Sequence, residues 1–390
     1  MNIDNYLLLN KKTSDIFLLK TSYALYNIKD SSIDSLSIKT GINSKIFDFA
    51  RKIFEKIDYK MDMRVIYSTD VYPEILIKNN QGSIIWDLCF WQLYEKFVKY
   101  MLFLEEYDSI HEQNNFIDQY KNDLIYYLAN RLDDYAEISY VLSEEFMMNS
   151  LNMPVKFKLM EGGNLDFILT NAQIIALFHE RNHYLFKNNR DEYARCFNAA
   201  SDIIRLAYKE DKEMQNLCDK ILNNADDNII EEMLCDYRAV LETIEMNIDL
   251  KDSLYRLQEI FKAFLFYTMV IENLNVVDQF WNNIINLHTN TKIVGKNIFT
   301  SRESSLIRCK VCEDLILYSC ILLLKRDPCF KIKKYIDLDY KVLGQAVHYV
   351  CSETFVNEIV NNANQYSEKG CKKEILDKEK MDIFLRYWNP

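Results

Sequence analysis

Glycine and proline are scarce, at 7 and 4 in a chain of 390 residues. A strand-rich fold needs such residues in its many turns, so their scarcity favours long helices. Long apolar runs are missing too. The longest, Ala263–Ile271 and Leu315–Leu324, fall short of the roughly 20 residues that a membrane-spanning helix takes. The first residues, Met1-Asn2-Ile3-Asp4-Asn5, have neither the basic nor the apolar region of a secretory signal. There is no excess of positive charge: a net charge of −11 and a pI near 5.2 argue against a general nucleic-acid-binding surface. Disulfide spacing is also absent, because the 10 cysteines are scattered, and reduced thiols in a cytoplasm are the simpler reading. The expectations are therefore a cytoplasmic chain with no membrane span and no nucleic-acid partner.

What the chain does have is apolar mass. Hydrophobic residues make up 49%, with 26 Tyr and 22 Phe, enough to fill a large core between helices. The patterning predicts a predominantly α fold with a small β-sheet, an α+β class. Residues 1–60 read as helical, including Lys45–Ile57 with Ile46, Phe49, Ala50, Ile53 and Phe54 at helical spacing. The stretch Asp34–Lys52 loosely fits a helix-turn-helix, although an ordinary helical hairpin explains it better, since Lys45, Arg51 and Lys52 are offset by Asp48 and Glu55. Arg64–Ser68, Glu74–Lys78 and Ser83–Trp86 read as strands, with a turn over Asn79–Gly82. Leu88–Glu106 and Phe116–Met148 read as helices, the latter split near Asp133. Met153–Leu159 and Leu165–Leu169 look like two strands joined through Gly162-Gly163. Helices follow to about Asn247, then over Leu257–Leu287, Ser304–Lys325 and Lys378–Tyr387. Three regions result: 1–60 helical, 61–250 a core, and 251–390 helical and packed on that core.

The chemistry concentrates in Phe178-His179-Glu180-Arg181-Asn182-His183, an HExxH in a helical context. Histidines four apart on a helix stand one turn above the other and can grip one zinc ion, with the intervening glutamate placed to take a proton from water. Thr170 and Gln173 fit a capping box that starts this helix at Asn171. At 100° per residue, Ala172, Ala176, His179 and His183 share one narrow face, while Ile174, Leu177, Phe178 and Leu185 form a separate apolar arc. Small residues beside the histidines leave room for an ion and a second helix. Arg181 projects from the apolar arc and needs a carboxylate partner or a path to water.

A third ligand is on offer in Asn228–Asn247. Glu232 and Asp236 lie together at the edge of an apolar arc formed by Ile229, Ile230, Met233, Tyr237, Val240, Leu241 and Ile244. Glu231 points away from that arc and stands three residues after Asn228, where a capping glutamate sits. Glu232 is thus the candidate ligand, and Asp236 can accept a hydrogen bond from a ligating histidine and fix its tautomer. HExxH followed on a later helix by a glutamate, with an aspartate four residues on, resembles the gluzincin group of zinc metallopeptidases over roughly Leu165–Leu241. The resemblance implies a zincin-like catalytic core with extra helices at both ends, in which His179, His183 and Glu232 hold zinc, Glu180 is the general base and Asp236 supports a histidine.

It also implies a protein or peptide substrate that pairs with an edge strand, for which Leu165–Leu169 or Val155–Leu159 is available. For the oxyanion it points to a downstream residue, with Arg308 favoured over His288, Arg302, Tyr318 and His348. The charged Arg181 and Asn182 depart from the usual motif. A zincin-fold regulatory or scaffold protein, binding zinc and a protein or DNA partner with little general protease activity, is the alternative. Cys309-Lys310-Val311-Cys312 has no second CxxC and reads as buried structure.

Overall fold

A computed structural model describes residues 26–27, 44–56, 60–66, 73–106, 110–132, 135–152, 163–207, 212, 227–247, 253–289 and 343–368. It is mostly helical with one small sheet, the α+β class expected from the sequence. The helices are α1 (Ser44–Glu55), α2 (Leu88–Glu106), α3 (Ile110–Arg131), α4 (Ala136–Asn152), α5 (Gly163–Asn188), α6 (Arg190–Ala207), α7 (Asp227–Asn247), α8 (Ser253–Thr289), α9 (Gly344–Val350) and α10 (Glu353–Glu368). The strands are β1 (Tyr26–Asn27), β2 (Met61–Ile66), β3 (Glu74–Lys78) and β4 (Gln81–Asp87), in the order β1-β2-β4-β3.

β3 and β4 form an antiparallel hairpin, β2 and β4 pair parallel, and β1 pairs antiparallel with β2. The hairpin turns at Asn79 and Asn80, whose φ values of 51° and 58° belong to the left-handed region that two-residue turns require. Asparagine tolerates that region better than most side chains. β4 runs through the middle with Gly82–Asp87 buried, and β3 forms the edge.

One apolar cluster extends from Ile46 to Ala363 and binds the layers together. α5 lies at its centre, packed by α7, α8, α6, α1 and the sheet. α1 buries Ile46, Ala50, Ile53 and Phe54, and Phe49 meets Phe178 edge to face at 5.5 Å. The helix that would have read DNA in a helix-turn-helix thus packs on α5 as an ordinary amphipathic helix. α8 is anchored to α2 by aromatic stacking, Tyr267 on Trp91 at 6.0 Å and Trp91 on Trp86 at 4.8 Å. Tyr94 adds a hydrogen bond from its hydroxyl to the Ala263 carbonyl at 3.0 Å. Tyr255–Asn286 within α8 is long and apolar enough to cross a membrane by length and composition, more than the short run Ala263–Ile271 suggested. Of its most apolar window 78% is buried inside the fold.

Two expectations change. Leu165–Leu169 is not a strand but the first turns of α5, which begins at Gly163 rather than Asn171. A short apolar run fits either period. Here the helical one wins, because Leu165, Ile168 and Ala172 are all buried at i, i+3, i+7 spacing. Asp166 stands in the first turn, where the helix dipole favours an acid. The expected strand at 153–159, the helices at 304–325 and 378–387, and the segment 34–43 lie outside the described residues.

The sheet presses closely on the motif helix. The Tyr184 hydroxyl donates to the Asn80 carbonyl at 2.8 Å. A Cβ on Gly82 would meet Tyr184 and Ile75 at 3.1 Å and Met61 at 3.2 Å. Gly82→Val should therefore force the hairpin off α5 and destabilise the fold by about 2 kcal/mol, measured as a lower urea midpoint. An unchanged midpoint would show that the sheet is not seated on the helix in this way.

Candidate metal centre

α5 brings His179 and His183 to the crossing with α7 one turn apart, their ring centroids 4.8 Å from each other. Their Nε2 atoms face each other at 3.1 Å. From α7, one carboxylate oxygen of Glu232 reaches His179 Nε2 and the other reaches His183 Nε2, each at 3.3 Å. These three side chains form a group able to hold a metal ion. Donor atoms around a tetrahedral ion at about 2.05 Å stand roughly 3.3 Å apart. The Nε2–Nε2 spacing of 3.1 Å is close to one such edge, and Glu232 approaches each ring with a different oxygen. With one donor atom from each residue, the three lie within 4.8 Å of one another, a spacing that can close on a metal ion.

The atoms on the far side of each ring are also engaged. His179 Nδ1 lies 2.7 Å from Asp236 Oδ1, and Asp236 is buried. The contact is an ion pair at hydrogen-bonding distance. His183 Nδ1 donates to Glu231 Oε1 at 2.8 Å. Glu231 is therefore no mere helix cap, as its distance from Asn228 suggested. With α7 beginning at Asp227, its side chain turns to the second histidine. Consecutive glutamates diverge by about 100° on a helix, which suits one to the ion and one to a ring. The two-sided role was invisible on a wheel centred on the apolar arc.

Electrostatics sharpen the picture. Burial alone would lower the His183 pKa, but hydrogen bonds to Glu231 and Glu232 outweigh it and lift it to about 9. His179 is likewise raised, burial being overcome chiefly by the Asp236 charge. Two protonated rings with Nε2 atoms at 3.1 Å would set N–H against N–H. A cation between them removes that conflict and meets the carboxylates as well. Glu180 Oε1 sits 4.0 Å from His179 Nε2. Burial pushes the Glu180 carboxyl up to about 7 against the lowering effect of both histidines, with Glu232 and Glu74 adding to the rise.

Arg181, the worst-fitting motif residue, finds its carboxylate. It pairs with Glu242 on α7 and donates to Asn182 Oδ1 at 2.9 Å. Its guanidinium lies 4.6 Å over the Phe178 ring. Glu242 also accepts from Arg238 Nε at 2.8 Å, and Arg238 pairs in turn with Glu192 on α6. This chain staples α5, α7 and α6 together on the side away from the metal group.

The metal group opens into a cleft of about 770 Å³. β3 supplies one wall with Pro73, Glu74, Ile75 and Ile77, and α8 another with Tyr267, Thr268, Ile271 and Asn275. The region beyond residue 250 thus helps to build the site, which no local motif announced. β3 stands beside the motif helix, where 165–169 was expected to supply a strand and is helical instead; 155–159 lies outside the described residues. Arg308, Arg302 and Tyr318 lie outside the described residues. His348 is exposed on α9 and does not line the cleft. No protein-family model, curated protein or solved structure matches the chain, so the site stands on its own geometry.

Metal uptake must displace protons. His183, lifted to about 9 by Glu231 and Glu232 against the effect of burial, carries a proton at neutral pH. Binding therefore releases protons, and affinity climbs as pH rises toward that value. Calorimetry with zinc in two buffers of different ionisation enthalpy reads the release directly; pH-independent affinity would contradict it. Glu231→Gln should weaken zinc binding about 10- to 100-fold by loosening His183. Glu232→Ala, which deletes a donor, should abolish stoichiometric zinc in a chelator competition. Equal effects of the two would overturn the division of labour between these glutamates.

Proposed function

We propose that this protein is a zinc-dependent metallopeptidase, with His179, His183 and Glu232 as zinc ligands and Glu180 as general base. The observation that carries the reading is the position of Glu180. It is buried at 5% exposure and borders both the metal group and the cleft, and burial pushes its carboxyl up, toward the range in which a carboxylate can both take and return a proton. Two imidazoles and a carboxylate are a donor set that suits zinc. The arrangement supports the resemblance to the gluzincins and with it a zincin-like core.

When bound, zinc supplies Lewis-acid activation of water near neutral pH. Glu180 accepts the proton of the attacking water and delivers it to the leaving amine. Asp236 and Glu231 hold the two rings from behind, so that both Nε2 atoms stay turned inward. β3 has a strand partner only on its β4 side among the described strands. An extended peptide that pairs with the other side of β3 would lie across the mouth of the metal group. The engagement of Arg181 by Glu242 weakens the alternative of a silent scaffold, for which the charged motif residue was the main support. Cys196, Cys235 and Cys351 are free thiols, which fits a cytoplasmic setting.

Glu180→Gln is the decisive variant. It should keep stoichiometric zinc and the native melting transition while kcat for peptide cleavage falls about 10³-fold. Zinc by atomic absorption and cleavage of a fluorogenic peptide library measure the two halves. Stoichiometric zinc with equal cleavage by both proteins would remove Glu180 from the mechanism, and a zinc-free wild type would remove the site.

A further inference from the structure

The cleft is electrically two-ended. Its metal end gathers Glu74, Glu180, Glu231 and Glu232, and its other end presents Lys187 and Arg190. Lys187 lies one turn beyond His183 on the same face of α5, about 6 Å along the axis. Arg190 opens α6 immediately after. Phe186 and Tyr193 also line the cleft, their rings packed edge to face at 5.6 Å.

Neighbouring cations are matched with carboxylates: Arg181 with Glu242, Arg195 with Glu192, and Arg238 with both. Lys187 and Arg190 have no carboxylate partner among the described residues. Of the nearby acids, Glu231 pairs with His183 and Glu192 with two arginines, and Asp191, exposed next to Arg190, does not line the cleft. In a chain of net charge −11, two cations that line the cleft without such a pair form a local positive site. Low-dielectric walls focus its field into the cleft.

We propose that Lys187 and Arg190 form a carboxylate-binding subsite. The substrate is then a peptide carrying a carboxylate, from an acidic side chain or a free C-terminus, within about three residues of the bond offered to the metal group. This rests on the peptidase reading and adds a substrate class to it. Pairing of the peptide's carboxylate with these two cations sets the direction in which the peptide lies as well as its affinity. Arginine can take the carboxylate through two parallel N–H groups, while lysine adds a point charge.

The test separates binding from cleavage. Twin fluorescent peptides differing only by Glu against Gln, or by a free against an amidated C-terminus, are titrated into the zinc-loaded Glu180→Gln protein and followed by anisotropy. The acid twin should bind about tenfold more tightly, with a preference that shrinks as salt is added. Which pair shows the preference tells a side-chain carboxylate from a terminal one. In the same background Lys187→Glu/Arg190→Glu should reverse the preference toward a Lys-bearing twin. The milder Lys187→Gln/Arg190→Gln pair should erase it, which guards against misfolding of the charge-reversed protein. Twins that bind equally, or a preference that survives both double variants, would overturn the subsite. Cleavage by wild type is scored separately. If nothing is cleaved but the preference holds, the peptidase reading falls and the carboxylate subsite stands. If peptides are cleaved without preference, the subsite falls and the peptidase reading stands.

Discussion

Two imidazoles held nose to nose between carboxylates, at the crossing of α5 and α7, are the constraint that the surrounding structure serves. The Nε2 atoms of His179 and His183 lie 3.1 Å apart, a separation that two protonated rings would resist. Asp236 and Glu231 press from the outer sides and Glu232 from the front, and each carboxylate raises the affinity of the rings for positive charge. A cation can satisfy all five groups at once, whereas protons satisfy them only in part. The two helices must therefore cross closely and keep their register. Ala172 and Ala176 on α5, both fully buried, permit that approach where larger side chains would hold α7 away.

The same crossing explains the charges that look out of place in the motif. Burying a guanidinium costs several kcal/mol unless its hydrogen bonds are met. Arg181, half-buried on the flank of α5, is met at Nη2 by Glu242 and Asn182 and over its face by Phe178, while its Nε makes no hydrogen bond. Glu242 is shared with Arg238, which reaches on to Glu192. Three helices are thus fixed by an alternating run of charges opposite the metal group. The run contributes geometry more than stability, since exchange for packed apolar residues is often neutral or favourable in such pairs. Its use here is to hold α7 at one rotation, so that residues 231, 232 and 236 all face the histidines.

Helices declared themselves best in the sequence. Leu88–Glu106 ends where its apolar period ends, and the turn at Asn79-Asn80 is carried by residues that tolerate positive φ. The metal group was also legible, because HExxH and the pair Glu232/Asp236 need only local helical geometry to be placed. Leu165–Leu169 was misread because five residues do not distinguish a period of 2 from one of 3.6, and burial by distant α8 and α7 decided it. Glu231 was misread for a related reason. A wheel reports which way a side chain leaves its own helix and is silent about a neighbour close enough to catch it from the side. The cleft walls from β3 and α8 depend on contacts between residues some 200 apart in sequence, beyond the reach of any motif.

Access to the site follows from which groups were left exposed. His179, Glu180 and Asp236 are each at most 5% exposed, while the side chains of Glu231 and Glu232 keep 38%. The opening is therefore on the α7 side of the ion position, between the edge of β3 and α8. A closed structural site would bury its carboxylate ligand and leave no cleft in front of it. Burial is deepest at Glu180 and Asp236, while the Glu231 and Glu232 carboxylates lie nearer the surface. The ligand that completes the triad stays at the water boundary. Such a gradient of burial fits the proposed centre, which would hold an ion, keep a proton acceptor beside it and still admit a third molecule.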